Sequence, residues 1–389
     1  MSATLPLDVP TLAPRTAVEL QAQLAQCAAA GTGVRVAGRG TWLHAGRPVD
    51  AAVRLSLLAL SGIVEYVPGD LTITARAGTP LAELQAAAAA HRQFVPLDPW
   101  GGDAGSLGAT LATATAGPWS SGYGLPRDLV LGVELVTGDG RMVRGGGRVV
   151  KNVAGFDLVR LSVGAWGTLG VITEATVRLR ALPEVDETLA VSARGTPLDA
   201  LVVAMRRLQP AAAELLSPAL AAALGLGDAE TLLVRVNGNA ALVAHQRGTV
   251  AALGDHAVVP ADVWRRLREV EPAVASVVRW SHLPDRLAES WQAAQRAAHL
   301  CDGALVHASV ARGVVRGILP TDDPAAVRGA LDAPFGGTRI AERLPGELWP
   351  RSTASGARDA VHERLSRGVR LAFDPGRVLN PGILSGDVT

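Results

Sequence analysis

Three glycine-bearing segments, each beside a β-prone run, fall within the first 180 residues of this 389-residue chain and constrain its fold most. The first is Val34-Arg35-Val36-Ala37-Gly38-Arg39-Gly40-Thr41-Trp42-Leu43. Val34 to Ala37 reads as a short strand that leads into a turn with glycine at 38 and 40. Glycine accepts positive φ and carries no Cβ, so successive N–H groups point into one concavity, a nest for phosphate oxygens. Arg39 and the Thr41 hydroxyl add donors. An ordinary tight β-turn is the alternative for an isolated G-x-G. A Rossmann dinucleotide fold is disfavoured, because Leu43 stands where its third glycine belongs and Pro48 follows where its helix opens.

The second segment, residues 98 to 124, is long and made of small and hydroxyl residues, Gly105-Ser106-Leu107-Gly108-Ala109-Thr110 at its centre and Gly117 beyond. A structureless loop of that length inside a domain is uncommon unless it serves a function, and small side chains let backbone lie against a bound cofactor. The alternative is a flexible linker, against which Leu107, Leu111, Trp119 and Tyr123 supply anchors. The third segment, Gly164-Ala165-Trp166-Gly167-Thr168-Leu169-Gly170-Val171-Ile172, runs into a strand ending near Leu179.

Between them the pattern is mixed. Thr16 and Glu19 have capping-box spacing at the head of a helix over 16–30, with Leu20, Leu24 and Cys27 on one face and Gly31 closing it. Strands are expected at 53–57, 60–66 and 71–77, a helix from Thr79-Pro80 to about His91, and a hairpin over 129–149 turning at Asp139-Gly140. Pro183 reads as a domain boundary. Beyond it strands and helices alternate as in a sheet with helices on one face, an α+β arrangement. A last helix, about 356–372, leads into Asp374-Pro375-Gly376-Arg377-Val378-Leu379-Asn380-Pro381-Gly382.

Composition narrows the function class. Apolar residues make up 48% and charged ones 19%, with a net charge of +1, which argues against disorder and a nucleic-acid footprint. Cys27 and Cys301 form neither a disulfide framework nor a zinc pattern, and the eight histidines lack metal-ligand spacing. The first residues carry no signal-peptide pattern and no apolar run is long enough to span a bilayer, so a cytoplasmic location is expected, without direct membrane insertion. Lys151 is the only lysine; the other 36 of 37 basic residues are arginine. Either codon bias left one survivor, or a compact ammonium is needed there.

Together the segments resemble the FAD-binding domain of the vanillyl-alcohol oxidase, or PCMH-type, family: Gly38–Thr41 its pyrophosphate loop, Gly105–Ala112 its second flavin loop, Gly164–Ile172 its adenosine-side segment. Asp374-Pro375 with Asn380-Pro381-Gly382 is similar to the return segment near its C-termini. Arg127-Asp128-Leu129-Val130-Leu131-Gly132 and Val150–Leu161, with its Lys-Asn-Val-Ala-Gly run, are similar to the FAD-binding E-subunit family of glycolate oxidase, except that Phe156 replaces a usual tyrosine. The resemblance implies an α+β fold: a two-subdomain PCMH-type FAD-binding domain over 1–183, an α+β cap over 184–345 and a C-terminal return over 346–389.

The resemblance further implies FAD as cofactor, held by Gly38, Arg39, Gly40, Thr41, Trp42, Gly105, Ser106, Gly108, Ala109, Gly117, Arg127, Gly170, Ile172 and Asn380. Relatives with covalent flavin have a histidine where this chain has Thr41, so binding is expected to be non-covalent; His44 lies three residues on. Relatives that oxidise 2-hydroxy acids carry a histidine-rich stretch in the second domain, of which only His307-Ala308-Ser309 remains. The implied role is a flavoprotein subunit of a glycolate oxidase, taking a small 2-hydroxy acid to its 2-oxo acid. Its partners would be a paralogous flavoprotein catalytic subunit and an iron–sulfur subunit, through which it would meet a membrane. Lys151 is the weak catalytic candidate. A self-sufficient FAD-dependent dehydrogenase and a non-catalytic electron-relay or assembly subunit remain alternatives.

Overall fold

The computed structural model describes residues 9–147, 157–321, 323–351 and 360–384. They belong to two compact units: one from Ser2–Ala116, Gly124–Leu182 and Arg358–Thr389, the other from Gly117–Tyr123 and Pro183–Ala357. Lys151 and Phe156 lie outside the described residues.

In the first unit, β1 (Thr11–Leu12) and β2 (Val34–Ala37) flank β3 (Val53–Ser56) in a small parallel sheet. The helix α1 (Ala17–Ala30) between them buries Leu20, Leu24 and Cys27 and ends at Gly31 with φ +62°. Thr16 caps it by accepting the Glu19 amide at 3.1 Å. Glu19 reaches back to the amide of Arg15 rather than that of Thr16, so the box closes one residue further out than its spacing predicts.

β4 (Ile63–Val67), β5 (Thr72–Arg76), β7 (Val130–Val136), β8 (Met142–Gly146) and β9 (Val171–Arg178) form an antiparallel sheet in the order β4-β5-β9-β7-β8. β6 (Gln93–Phe94) pairs with β10 (Arg180–Ala181). α2 (Leu81–Ala89) and α3 (Leu107–Thr113) pack on this frame through Leu81, Leu84, Leu107 and Leu111, all essentially without exposure. α3 lies inside the stretch read as loop. The Leu107–Leu111 pair, four residues apart, presents one apolar face to the core, enough to make a turn of helix of small residues. The C-terminal segment runs back beside β2: Val34 donates to Val378 O at 2.7 Å and Asn380 donates to Val34 O at 2.9 Å.

The second unit is an eight-stranded antiparallel sheet. Its strands are β11 (Val185–Ser192), β12 (Ala212–Leu216), β13 (Thr231–Gly238), β14 (His256–Val259), β15 (Ser276–Ser281), β16 (Leu305–Ser309), β17 (Val314–Leu319) and β18 (Thr338–Arg343), in the order β14-β11-β13-β12-β16-β17-β15-β18. Side chains alternate across a strand. Leu215, Val306, Ala308, Val315, Val278 and Trp280 meet the helices Leu198–Leu208, Ala240–Ala251 and Leu287–Ala298 in one core. The intervening residues Glu214, His307, Arg316 and Arg279 leave the sheet on the opposite side.

Two short stretches group differently from the boundaries read from the sequence. Residues 346–351 and Gly117–Tyr123 belong to the second unit. For the latter the cause is polar: Ser120 Oγ accepts from Arg312 at 2.6 Å, Tyr123 OH accepts from Asn237 at 2.7 Å, and Ser121 and Ser309 hydroxyls meet at 3.0 Å.

Candidate cofactor site

Within the first unit, the turn after β2, the helix α3 and the segment 166–172 surround one cleft of about 660 Å³, its open mouth included. β2 delivers Gly38 against Ser106, where a Cβ would collide with the Ser106 hydroxyl. Gly40 has φ +83°, a conformation that a β-branched side chain resists. Arg39 points outward and donates from Nε to Ala104 O at 2.8 Å; Trp42 donates from Nε1 to Trp100 O at 2.9 Å. These two bonds draw the 98–106 stretch against the first loop. A second hollow, lined by Trp100, Gly105, Thr110 and Thr115, shares Thr41, Trp42, Ala109 and Thr113 with the main cleft.

The far wall is held by Asn380. Its Oδ1 accepts the Val36 amide at 2.8 Å, and its Nδ2 donates to Trp166 O at 2.8 Å. Trp166 has φ +55°, a strained conformation for an aromatic residue. The Trp166 amide, donating to Ala112 O at 2.8 Å, and its carbonyl together hold it there.

Of the residues the sequence singles out, Gly38, Gly40, Thr41, Trp42, Gly108, Ala109, Gly170, Ile172 and Asn380 line the main cleft. Gly105 lines the adjoining hollow, and Ser106 is fully buried behind Gly38. Arg127 sits exposed on the turn Pro126–Leu129 and lines neither hollow; Gly117 belongs to the second unit. Sequence reasoning passed over Arg35, although it was a lone charge in a β-prone run. Arg35 lines the cleft, only 8% exposed, and burial pulls its guanidinium down to about 10. Among the described residues no carboxylate lines this cleft.

The arrangement fits an anionic dinucleotide. The walls are mostly apolar or glycine, the lining charge is positive, and the Ser106 hydroxyl is buried beside the loop without a hydrogen-bond partner among the described residues.

Comparison with known proteins agrees. Residues 10–146 match the FAD binding domain family. This stretch is an FAD-binding domain. Its cofactor is FAD, and the chain has the α+β fold of the PCMH-type flavoproteins. The crystal structure of p-cresol methylhydroxylase with substrate bound superposes with a TM-score of 0.74 at 15% identity, covering 96% of this chain and 88% of that one. An alkyldihydroxyacetonephosphate synthase structure gives 0.68 at 14%, covering 96% and 75%.

In sequence, the chain is 41% identical over 155 residues to glycolate oxidase subunit GlcE of Escherichia coli, covering 40% of this chain and 44% of that protein. It is 34% identical over 179 residues to subunit GlcD of Bacillus subtilis, 46% and 38%. It is 35% identical over 167 residues to the mitochondrial D-lactate dehydrogenase [cytochrome] of Arabidopsis thaliana, 42% and 29%. The aligned stretch spans less than half the length of each relative.

Outside the FAD-binding domain, His307 has a partner that sequence could not show. The Glu214 carboxylate of β12, 93 positions away, lies 2.8 Å from His307 Nδ1, both side chains buried. Strand pairing of β12 with β16 makes this contact, and no local motif announces it. Among the described residues no group of three or more His, Cys, Asp and Glu could hold a metal, and no helix is long and apolar enough to cross a membrane.

Proposed function

We propose that this chain is the FAD-binding subunit of a glycolate oxidase, a 2-hydroxy-acid oxidoreductase that takes glycolate to glyoxylate together with partner subunits. The 41% identity to GlcE over 155 residues carries the reading. Bound in the cleft, FAD supplies a two-electron acceptor for the hydride on the carbon bearing the hydroxyl. The chain supplies the rest: the Gly38–Trp42 turn and α3 enclose the site, and Asn380 holds its far wall in register with β2. Thr41 offers a hydroxyl and no ring nitrogen, so the flavin is held without a covalent bond. Cys27 and Cys301 are the chain's two cysteines, both buried and free. Two thiolates fall short of the usual four for an iron–sulfur cluster, so electrons leave through an iron–sulfur partner, beside a paralogous flavoprotein that carries the substrate base. The complex works in the cytoplasm and meets a membrane through those partners.

The Glu214–His307 pair favours a second reading. A carboxylate that fixes an imidazole tautomer is the arrangement a general base requires, which suits a self-sufficient dehydrogenase. Against it stands burial: the His307 side chain is 3% exposed. Purification from the native cell, with the visible spectrum, the co-purifying chains and glycolate-dependent dye reduction recorded together, separates the readings. A yellow, multi-subunit, glycolate-active preparation is expected. A colourless chain, or a glycolate-active chain that purifies alone, overturns the subunit proposal.

A further inference from the structure

Arg35 is an unusual resident of a cofactor cleft. It is buried, it lines the cavity, and its one hydrogen bond among the described residues runs from Nη2 to Leu43 O at 3.1 Å. A guanidinium has five N–H donors, so most of its capacity is unspent. Beside it, at the same register level on the neighbouring strand, stands Arg54. Residues paired in a ladder leave the sheet on the same side. Arg54 Nε is buried without a hydrogen-bond partner, and neither arginine has a carboxylate within ion-pairing distance among the described residues. Two like charges side by side on adjacent strands repel, and a buried cation without a counter-charge is costly. Arg35 therefore stands in the cleft with unspent donors and no counter-charge among the described residues, an arrangement that an incoming anion satisfies.

We propose that Arg35, the charged residue among those lining the cleft, is the cation that receives the diphosphate of FAD, in addition to the backbone nest of the glycine loop. The proposal rests on the FAD reading of this cleft. The diphosphate is the part of FAD that bears negative charge, and the Arg35 bond to Leu43 O ties that cation to the end of the Gly38–Leu43 turn. Charge recognition and loop position are thereby coupled through one side chain. Burial also holds the guanidinium down to about 10; an anion beside it would restore its ordinary basicity.

The test is affinity, read without turnover. Flavin-stripped full-length protein is titrated with FAD by fluorescence quenching, and ADP and adenosine are run as competitors, for wild type, Arg35→Met and Arg35→Lys. Wild type that fails to take up FAD would sink the cofactor reading itself. Given FAD binding by wild type, Arg35→Met is expected to weaken FAD and ADP by roughly ten- to a hundredfold while adenosine changes little. Arg35→Lys should recover part of the loss. Equal losses for ADP and adenosine, or unchanged FAD affinity in Arg35→Met, would overturn the proposal. If Arg35→Met fails to fold, wild type still decides. ADP must then bind more tightly than adenosine with an affinity that falls as salt rises, and equal, salt-independent affinities refute it.

Discussion

Asn380 Nδ2 donates to the Trp166 carbonyl at 2.8 Å, and through that bond the C-terminal segment fixes a residue of the third glycine-bearing segment. Its Oδ1 simultaneously accepts the Val36 amide at 2.8 Å, so one buried amide joins three parts of the cleft wall. Asn380 itself has φ +44°, which asparagine tolerates better than most residues. Asn380→Ala leaves two half-buried backbone groups, the Val36 amide and the Trp166 carbonyl, without their partner and puts alanine in a left-handed position. It should cost about 2–4 kcal/mol of stability in the first unit and release FAD. Denaturant unfolding and flavin retention measure both; an unchanged midpoint with full flavin content would show that the clamp is dispensable.

The contact between Gly38 and Ser106 makes a paired test. Gly38→Ala places a methyl on the Ser106 hydroxyl and should lower FAD occupancy, together with about 1–3 kcal/mol of stability. Gly38→Ala combined with Ser106→Gly removes the obstacle, and the second change should rescue much of the first. Strictly additive losses in the cycle would mean that the two residues do not share this space in solution.

How much of this was legible in the sequence depends on the distance over which each feature acts. The Thr16 cap, the Leu20–Leu24–Cys27 face and the Gly31 stop are local, and all three read correctly. So did the glycine turns, because positive φ and close approach select one residue type. The helix α3 was missed because its small residues hide a single Leu107–Leu111 face within a loop-like composition. Arg35 was missed because one charge in a four-residue strand looks like an exposed edge until β3 places Arg54 beside it. Glu214 was invisible as the partner of His307, since their contact depends on β12 pairing with β16. Lys151, the most conspicuous single residue of the sequence, lies outside the described residues.

Flavin attachment has a direct chemical check. Thr41 in the first loop offers a hydroxyl and no ring nitrogen, so acid precipitation should leave all yellow chromophore in the supernatant. Flavin that remains with the pellet after washing would establish a covalent link and point to another attachment residue.

The second unit should be acid-sensitive through Glu342. Burial pushes its carboxyl up, but the charges of Arg316 and Arg279, the Arg316 hydrogen bond and His307 outweigh burial and hold it below the ordinary 4.5. A carboxyl with a lowered folded value stabilises above its unfolded value, and that stability is lost as pH falls through the folded one. Stability is therefore expected to decline as pH drops below about 4.5. Glu342→Gln should unfold more readily at neutral pH and show a shallower decline in acid. A variant whose acid profile parallels wild type would place the sensitivity elsewhere.

The most direct measurement is the steady-state rate of glycolate oxidation by the isolated, FAD-loaded chain with a dye acceptor, compared with the native complex at equal flavin. The expected result is negligible turnover by the chain alone, with no rescue by lactate in place of glycolate, and clear turnover by the complex. Robust glycolate oxidation by the chain without any partner would contradict the subunit assignment and make the Glu214–His307 pair the first place to look for a base.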